Sequence, residues 1–409
     1  MEVTTLGRGH PEVALLLGCA RSRMDPVAAE AVRNALQQKI DWERVLAEAF
    51  KHGTAPLLYW NLTRAGFTGI PESALSRLKG AFNINARWSL SLTGELLKLL
   101  KLFREIGIRA LPYKGPVLSA AAYGNLSLRT FGDLDILMAT EDIRKAKDVL
   151  VSLGYQADRD LTASEEVSYL RSHHDYKFVR SKDGIVVELQ WGVTQWSFAF
   201  PISFEDLWQR REEVAVGGTP VLNVPVEELL LILCVHGAKH QWEQLKWISD
   251  IAELVAANYD RLNWHRMLDQ ARSQGGERML LLGLFLAHDL VYARLPEELL
   301  QRIQNDSRMN ALARRVSERL FDSELAPLRL RDEKPVFYWD VSERPRDKWR
   351  LIWKYFPVYL KRMFVPGERD YEFMRLPKFL ASGYYVVRQV RLVGMFFSML
   401  LRAANRRDK

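Results

Sequence analysis

Cysteine is nearly absent: Cys19 and Cys234 stand far apart in a chain of 409 residues, without the paired spacing that a thiolate metal site or disulfide framework needs. The chain therefore reads as an intracellular protein with reduced thiols, and a cytoplasmic location is the expectation. No stretch approaches the roughly 18 uninterrupted apolar residues of a membrane span. The one segment with the look of a leader, Val13–Ala20 (VALLLGCA), follows Glu12 and has only Arg8 as firm positive charge ahead of it, so a short buried helix is expected there instead. Internal repeats and low-complexity tracts are also missing. What remains is 48% apolar and 11% aromatic, enough for two or three lobes that each bury a core, which excludes general disorder.

The net charge of +8 is unevenly placed. Residues 329–409 hold 19 Lys and Arg against 9 Asp and Glu, whereas the preceding residues are near neutral. A general nucleic-acid-binding surface would spread its charge over the main domain, so no specific nucleic acid is expected as a partner. From Tyr384 to Asn405 the positions Arg388, Arg391, Ser398, Arg402 and Asn405 form one helical stripe, with Val390, Val393, Phe396, Phe397 and Leu400 lying mostly elsewhere. Such a basic amphipathic helix suits weak contact with a membrane surface, peripheral to the cytoplasm, or docking on its own body.

Hydrophobic periodicity divides the chain into four regions. Residues 1–107 form an N-terminal helical region, with VAAEAVRNALQQ, WERVLAEAFKHG and a long run from Ala74 to Ile106 whose leucines recur three and four apart. No chemistry is visible in it, and Arg87 reads as a solvated helix arginine. Residues 108–224 form the core. Ile108–Tyr113 reads as a strand, Val117–Tyr123 as a brief helix ended by Gly124, DLDILM as a half-buried strand, and Glu141–Leu153 as an amphipathic helix closed by Gly154. DYKFVR and IVVELQW then read as two strands joined at Ser181-Lys182-Asp183-Gly184, a hairpin signal. Residues 225–328 form a helical lobe and residues 329–409 a basic, aromatic helical tail. The fold class is α+β: a small mixed β-sheet core flanked by N- and C-terminal helical regions.

The chemistry concentrates in the core. Acids at i and i+2 of a strand project from one face, so Asp133 and Asp135 share a side while Leu134 and Ile136 anchor the strand. Magnesium favours carboxylate and phosphate oxygens, and converging carboxylates on rigid elements are how proteins supply it. Upstream, Lys114-Gly115 opens a helix whose backbone N–H groups suit phosphate. Glu188 alternates with Val187 and Leu189 on a later strand, a costly place for a carboxylate without a cation.

These residues carry a resemblance. KGPVLSAAAYGNLSLRTFGDLDILM is similar to the signature of bacterial nucleotidyltransferase-like proteins within the polymerase-beta-type nucleotidyltransferase superfamily. The likeness extends through IVVELQWGV and HGAKHQWEQLKWISDIA to LPKFLASGYYVVRQVRL, most of the chain. It implies a metal-dependent nucleotidyltransferase core using Mg2+ or Mn2+ and a nucleoside triphosphate such as ATP, with an acceptor, small molecule or protein, that it does not identify. Asp133, Asp135 and Glu188 would be catalytic and hold metal; Lys114 and Gly115 would lie at the phosphates, with Arg129 close by. Two departures stand out. The third acid is Glu188 where relatives often have aspartate, with Gln190 where they often have histidine, and Lys114-Gly115 replaces the Gly-Ser turn of the wider superfamily. The alternatives are a catalytically inactive nucleotide-binding or regulatory module, and a helical scaffold on the membrane.

Two histidine-bearing segments remain. His236, Lys239 or His240, Glu243, Trp247 and Asp250 recur at three- and four-residue steps, which reads as one helix face. That face would reach over the metal site, with Lys239 on phosphate oxygens and His236 bonding to ligand, or else be satisfied by a His236 or Lys239 network with Asp250. His173 and His174 do not suggest zinc, because adjacent strand residues face opposite ways and no cysteine lies nearby; one of them lining the substrate pocket is the expectation.

Overall fold

Alternation of apolar and polar residues builds a five-stranded sheet in the order β1-β2-β5-β4-β3. Its strands are β1 Ala110–Pro112, β2 Asp133–Met138, β3 Tyr155–Ala157, β4 Asp175–Arg180 and β5 Ile185–Gln190. Only the central β2–β5 pair is parallel; the others run antiparallel, so the sheet is mixed and the fold is α+β. This computed structural model describes residues 10–194, 202–321, 327–364, 373–374 and 382–391, and divides into two units, Met1–Arg344 and Pro345–Lys409.

One sheet face is buried under the helix Glu72–Glu105. Leu92, Leu96, Leu99 and Phe103, at steps of three and four, pack with Leu134, Ile136 and Met138 of β2 and Val187 and Leu189 of β5. Each such side chain contributes roughly 1.5–3 kcal/mol by leaving water. A one-residue slip would turn that whole set outward, so the core sets the direction of the intervening polar residues. Asp133 and Asp135, and Glu188 and Gln190, must face away from it.

The hairpin at Ser181–Gly184 forms: the Gly184 N–H donates to the Arg180 carbonyl at 2.8 Å and Gly184 has φ +72°. Other elements differ from their sequence reading. The short helix starts at Gly115 rather than Val117 and widens into a π turn over Ser119–Tyr123. Four features escaped the pattern: β3, the helix Ala163–Ser172 with its Thr162/Glu165 capping box, the helix Phe204–Gln209, and a second sheet formed by β6 Glu212–Val216 and β7 Thr219–Asn223, which is the last of the four along the chain. The last turns at Gly217-Gly218, both at positive φ as a two-residue hairpin turn requires.

The helices Val226–Lys239, Leu245–Asn258 and Glu277–Val291 form the next lobe and are buried along most of their lengths. In the second unit, Pro345–Phe364 is helical. Residues 384–391 of the expected tail helix are helical too, while Ser398, Arg402 and Asn405 lie outside the described residues. Among the described residues, no helix is long and apolar enough to cross a membrane.

Candidate active site

The β2–β5 register sets Asp135 opposite Glu188 and Leu137 opposite Gln190. Asp133, Asp135, Glu188 and Gln190 line one side of a cavity of about 400 Å³. Asp135 and Gln190 are each only 5% exposed, so their polar groups need partners. The Gln190 amide nitrogen donates to Asp135 Oδ1 at 2.8 Å and to Glu188 Oε2 at 3.2 Å. Its oxygen accepts from the buried Tyr113 hydroxyl, which keeps the nitrogen turned toward the acids. Lys114 Nζ stands 3.4 Å from Asp135 Oδ1 and 5.0 Å from the centre of the Tyr113 ring. Gly115 has φ +56°, and a Cβ there would sit 3.2 Å from the Asp133 carbonyl oxygen; glycine lets the turn lie against β2.

The acids are crowded. Burial, and then the Asp135 and Asp133 charges, push Glu188 up to about 7. Burial followed by Asp135 raises Asp133 as well. Burial opposes the charge on Lys114, yet the surrounding acids, Asp135 foremost, hold its ammonium above the ordinary lysine range. Among the described residues only Lys114 comes within ion-pair range of any of the three, and such crowding of carboxylates is the electrostatic condition a divalent cation relieves. Among the described residues no group of three His, Cys, Asp or Glu side chains is arranged to hold an ion alone. Magnesium seldom needs such a cage, because it usually binds through one or two carboxylates plus waters and substrate phosphates. Asp133 and Asp135 fit that mode, with Glu188 adjoining.

The opposite side is basic and aromatic. His236, Lys239 and His240 come from the end of the Val226–Lys239 helix, and Lys246 and Trp247 from the start of Leu245–Asn258. The expected single helix face is thus two helices. Gln241 and Trp242 both have positive φ, at +54° and +58°. The Trp242 ring, 1% exposed, fills the space a side chain at Gly237 or Gly283 would need, and this packing fixes the bend. The bend still gathers three rings, with His236–His240, His240–Trp247 and His236–Trp247 centroids 4.7, 5.2 and 5.5 Å apart. Burial first, and then nearby lysines, hold His236 well below its ordinary value and His240 down to about 4. Both imidazoles are therefore neutral near pH 7 and able to donate and accept.

Asp250 does not serve His236 or Lys239. It accepts from Arg129 Nε at 2.8 Å and Nη2 at 3.0 Å, and from the Tyr123 hydroxyl at 2.8 Å. Arg129 is 6% exposed, and its Nη1 has no hydrogen-bond partner among the described residues although the residue lines the cavity. Lys239 and Lys246 have no carboxylate in ion-pair range among the described residues. Burial lowers both, helped by Lys114 in one case and Arg129 in the other. Both lysines thus line the same cavity as the crowded acids with no carboxylate paired to them among the described residues.

The N-terminal helical region, read as free of chemistry, braces this side. The Lys246 N–H donates to the His52 carbonyl at 3.2 Å, the Leu245 N–H to His52 Nδ1 at 3.3 Å, and the Thr130 hydroxyl to the Gly53 carbonyl at 3.0 Å. Gly53 has φ +68°, and a Cβ there would fall 2.7 Å from Thr130 Oγ1 and 2.8 Å from Lys246 Cδ. The sequence signals were the His52-Gly53 turn and the lysine before Trp247, but nothing local joins them. His174 lines the cavity beside Asp175, held down to about 4 chiefly by burial, whereas His173 stacks on Tyr169 with centroids 3.9 Å apart. Arg87 is exposed and outside the cavity.

No curated protein matches the chain. Residues 38–292, a span that contains every residue lining the cavity, match the model of a family described as "uncharacterised nucleotidyltransferase". That span is well over half of the 409 residues, and the chain belongs to this nucleotidyltransferase family.

Proposed function

We propose that the cavity takes a nucleoside triphosphate, ATP among the candidates, together with Mg2+ or Mn2+, and transfers its nucleoside monophosphate to a hydroxyl of a small-molecule or protein acceptor. The acceptor oxygen forms a bond to the α-phosphorus while the bond from that phosphorus to the oxygen bridging to the β-phosphorus breaks. Pyrophosphate leaves with the electron pair, and the hydroxyl proton passes to Glu188. Asp133 and Asp135 would hold the cation, with Glu188 as the third carboxylate; when bound, the cation neutralises phosphate charge. Lys239, Lys246 and the unpartnered N–H of Arg129 meet phosphate oxygens, the Lys114-Gly115 turn closes against them, and the neutral His236 donates to the ligand. The rings of His240 and Trp247 offer a stacking surface for a base or acceptor.

The observation that carries this reading is the pairing in one cavity of three crowded acids with two lysines that have no counter-ion among the described residues. A metal-bound triphosphate presents a cation to one side and anions to the other. The test is incubation with labelled triphosphates, Mg2+ or Mn2+ and cell extract. Label should pass to an acceptor with the unaltered chain and not with the Asp133→Asn, Asp135→Asn double variant; equal transfer by both would refute the site. One observation favours a second reading, a nucleotide-binding module without turnover: the Gln190 amide already occupies an oxygen of Asp135 and one of Glu188. Thermal stabilisation by metal and triphosphate, with no transfer to any acceptor, would select it.

A further inference from the structure

The helix Pro345–Phe364 turns Trp349, Trp353 and Phe356 outward. Trp349, Ile352, Trp353 and Phe356 follow one another at i, i+3, i+4 and i+7, which makes a single stripe. They are 61, 39, 67 and 51% exposed, while Leu351 and Asp347 on the other side are 3 and 8% exposed. Single exposed apolar residues, such as Ile84 and Leu90 on different faces of the long helix, are ordinary on any surface. Four in one stripe, two of them tryptophan, mark a surface that something covers.

Charge identifies the cover. Arg346, Lys348, Arg350 and Lys354 share these turns with Asp347 as the one acid, within a region of 19 basic and 9 acidic residues. An apolar face rich in tryptophan bordered by lysine and arginine is the composition of a helix lying in the boundary between headgroups and acyl chains. Spanning is excluded for it, since no helix among the described residues is long and apolar enough to cross. We propose that Pro345–Phe364 binds the surface of an anionic bilayer, with Trp349, Ile352, Trp353 and Phe356 inserted and the basic side chains facing acidic headgroups. This surface belongs to an earlier part of the tail than the stripe read from the sequence at Tyr384–Asn405, and it stands whether or not the cavity transfers nucleotides.

The test is flotation of the full chain with phosphatidylcholine vesicles and with vesicles that also contain phosphatidylglycerol. Binding should require phosphatidylglycerol and weaken as salt screens the headgroups. Trp349→Ser with Trp353→Ser should lower it roughly tenfold or more, and Trp349→Phe with Trp353→Phe should retain most of it. Because these rings are exposed in the free chain, neither variant should shift the thermal midpoint. The proposal is overturned by absence of vesicle binding, by equal binding to neutral vesicles, or by full binding of the serine variant. It is also overturned if the unaltered chain is a dimer that the serine variant splits, because a second copy would then be the cover.

Discussion

The acidic side of the cavity comes from two strands locked in one ladder, and the basic side from two helices joined at a bend and propped by a distant turn. On the first, hydrogen bonds tie the strands' polar groups together: Asp135 and Glu188 share the Gln190 amide, and Tyr113 holds Gln190. On the second, Lys239 and Lys246 line the cavity with no carboxylate in ion-pair range among the described residues, and the Lys246 stem lies against the Gly53 turn. On the proposed function, the contrast is folding energy given up for binding. Crowded acids and buried unpaired lysines both destabilise the empty protein, and the metal-bound triphosphate proposed for the cavity would relieve both together.

The largest effect should come from the acidic side. Asp135→Asn should lower transfer roughly a thousandfold or more, while the thermal midpoint of the ligand-free protein holds or rises. Activity assays alongside thermal denaturation check this; loss of the fold instead would mean that Asp135 is a structural anchor like its neighbours in the ladder. On the basic side, Lys239→Gln and Lys246→Gln should each weaken triphosphate binding by about 10- to 100-fold, the worth of one charge-assisted contact, again without loss of stability. Calorimetric titration would decide it. Unchanged affinity in both variants would leave the acidic side as the sole basis of the site.

The two sides also differ in how far they could be read from the sequence. Asp133, Asp135 and Glu188 follow from strand alternation, and the hairpin at Asp183-Gly184 follows from turn chemistry, because both signals lie within a few residues. What alternation leaves open is the pairing of β2 with β5, since register between distant strands depends on the shared core. In the sequence the basic side reads as one helix because Gln241 and Trp242 give no local sign of left-handed backbone; the cause of the bend, Trp242 filling the space above Gly237, is tertiary. β3 has three residues, too few for alternation to register.

The bracing turn provides a sharper comparison with its own control. Gly53 and Gly66 have nearly the same backbone, φ +68° and +67°, but a Cβ at Gly53 would strike Thr130 and Lys246, whereas nothing lies within 4 Å of one at Gly66. Both alanine variants carry the backbone cost of about 1 kcal/mol. Only Gly53→Ala should also displace Lys246, costing about 1–2 kcal/mol more and weakening triphosphate binding by about 3- to 10-fold. Equal affinities in the two variants would show that the basic side does not depend on the turn.

The smallest effect concerns pH and separates crowding from mere burial. Glu188 is raised from its ordinary value to about 7, burial first and then Asp135 and Asp133. A carboxyl raised on folding stabilises the folded state fully below about pH 4.5, and that contribution is lost as pH rises through about 7. Glutamine at this position cannot ionise. The thermal midpoint of Glu188→Gln relative to the unaltered protein, measured without divalent metal, should therefore be near zero at about pH 5 and rise by about 2 °C at pH 8. Asp289, raised to about 6 by burial, titrates identically in both proteins and cancels from the difference. If Asp133→Asn is introduced first, one of the charges that raises Glu188 is gone, and the rise at pH 8 should shrink. A rise that keeps its full size in that background would mean that the Asp133 charge does not reach Glu188, and these two acids would then not act on one another as a shared cation site requires.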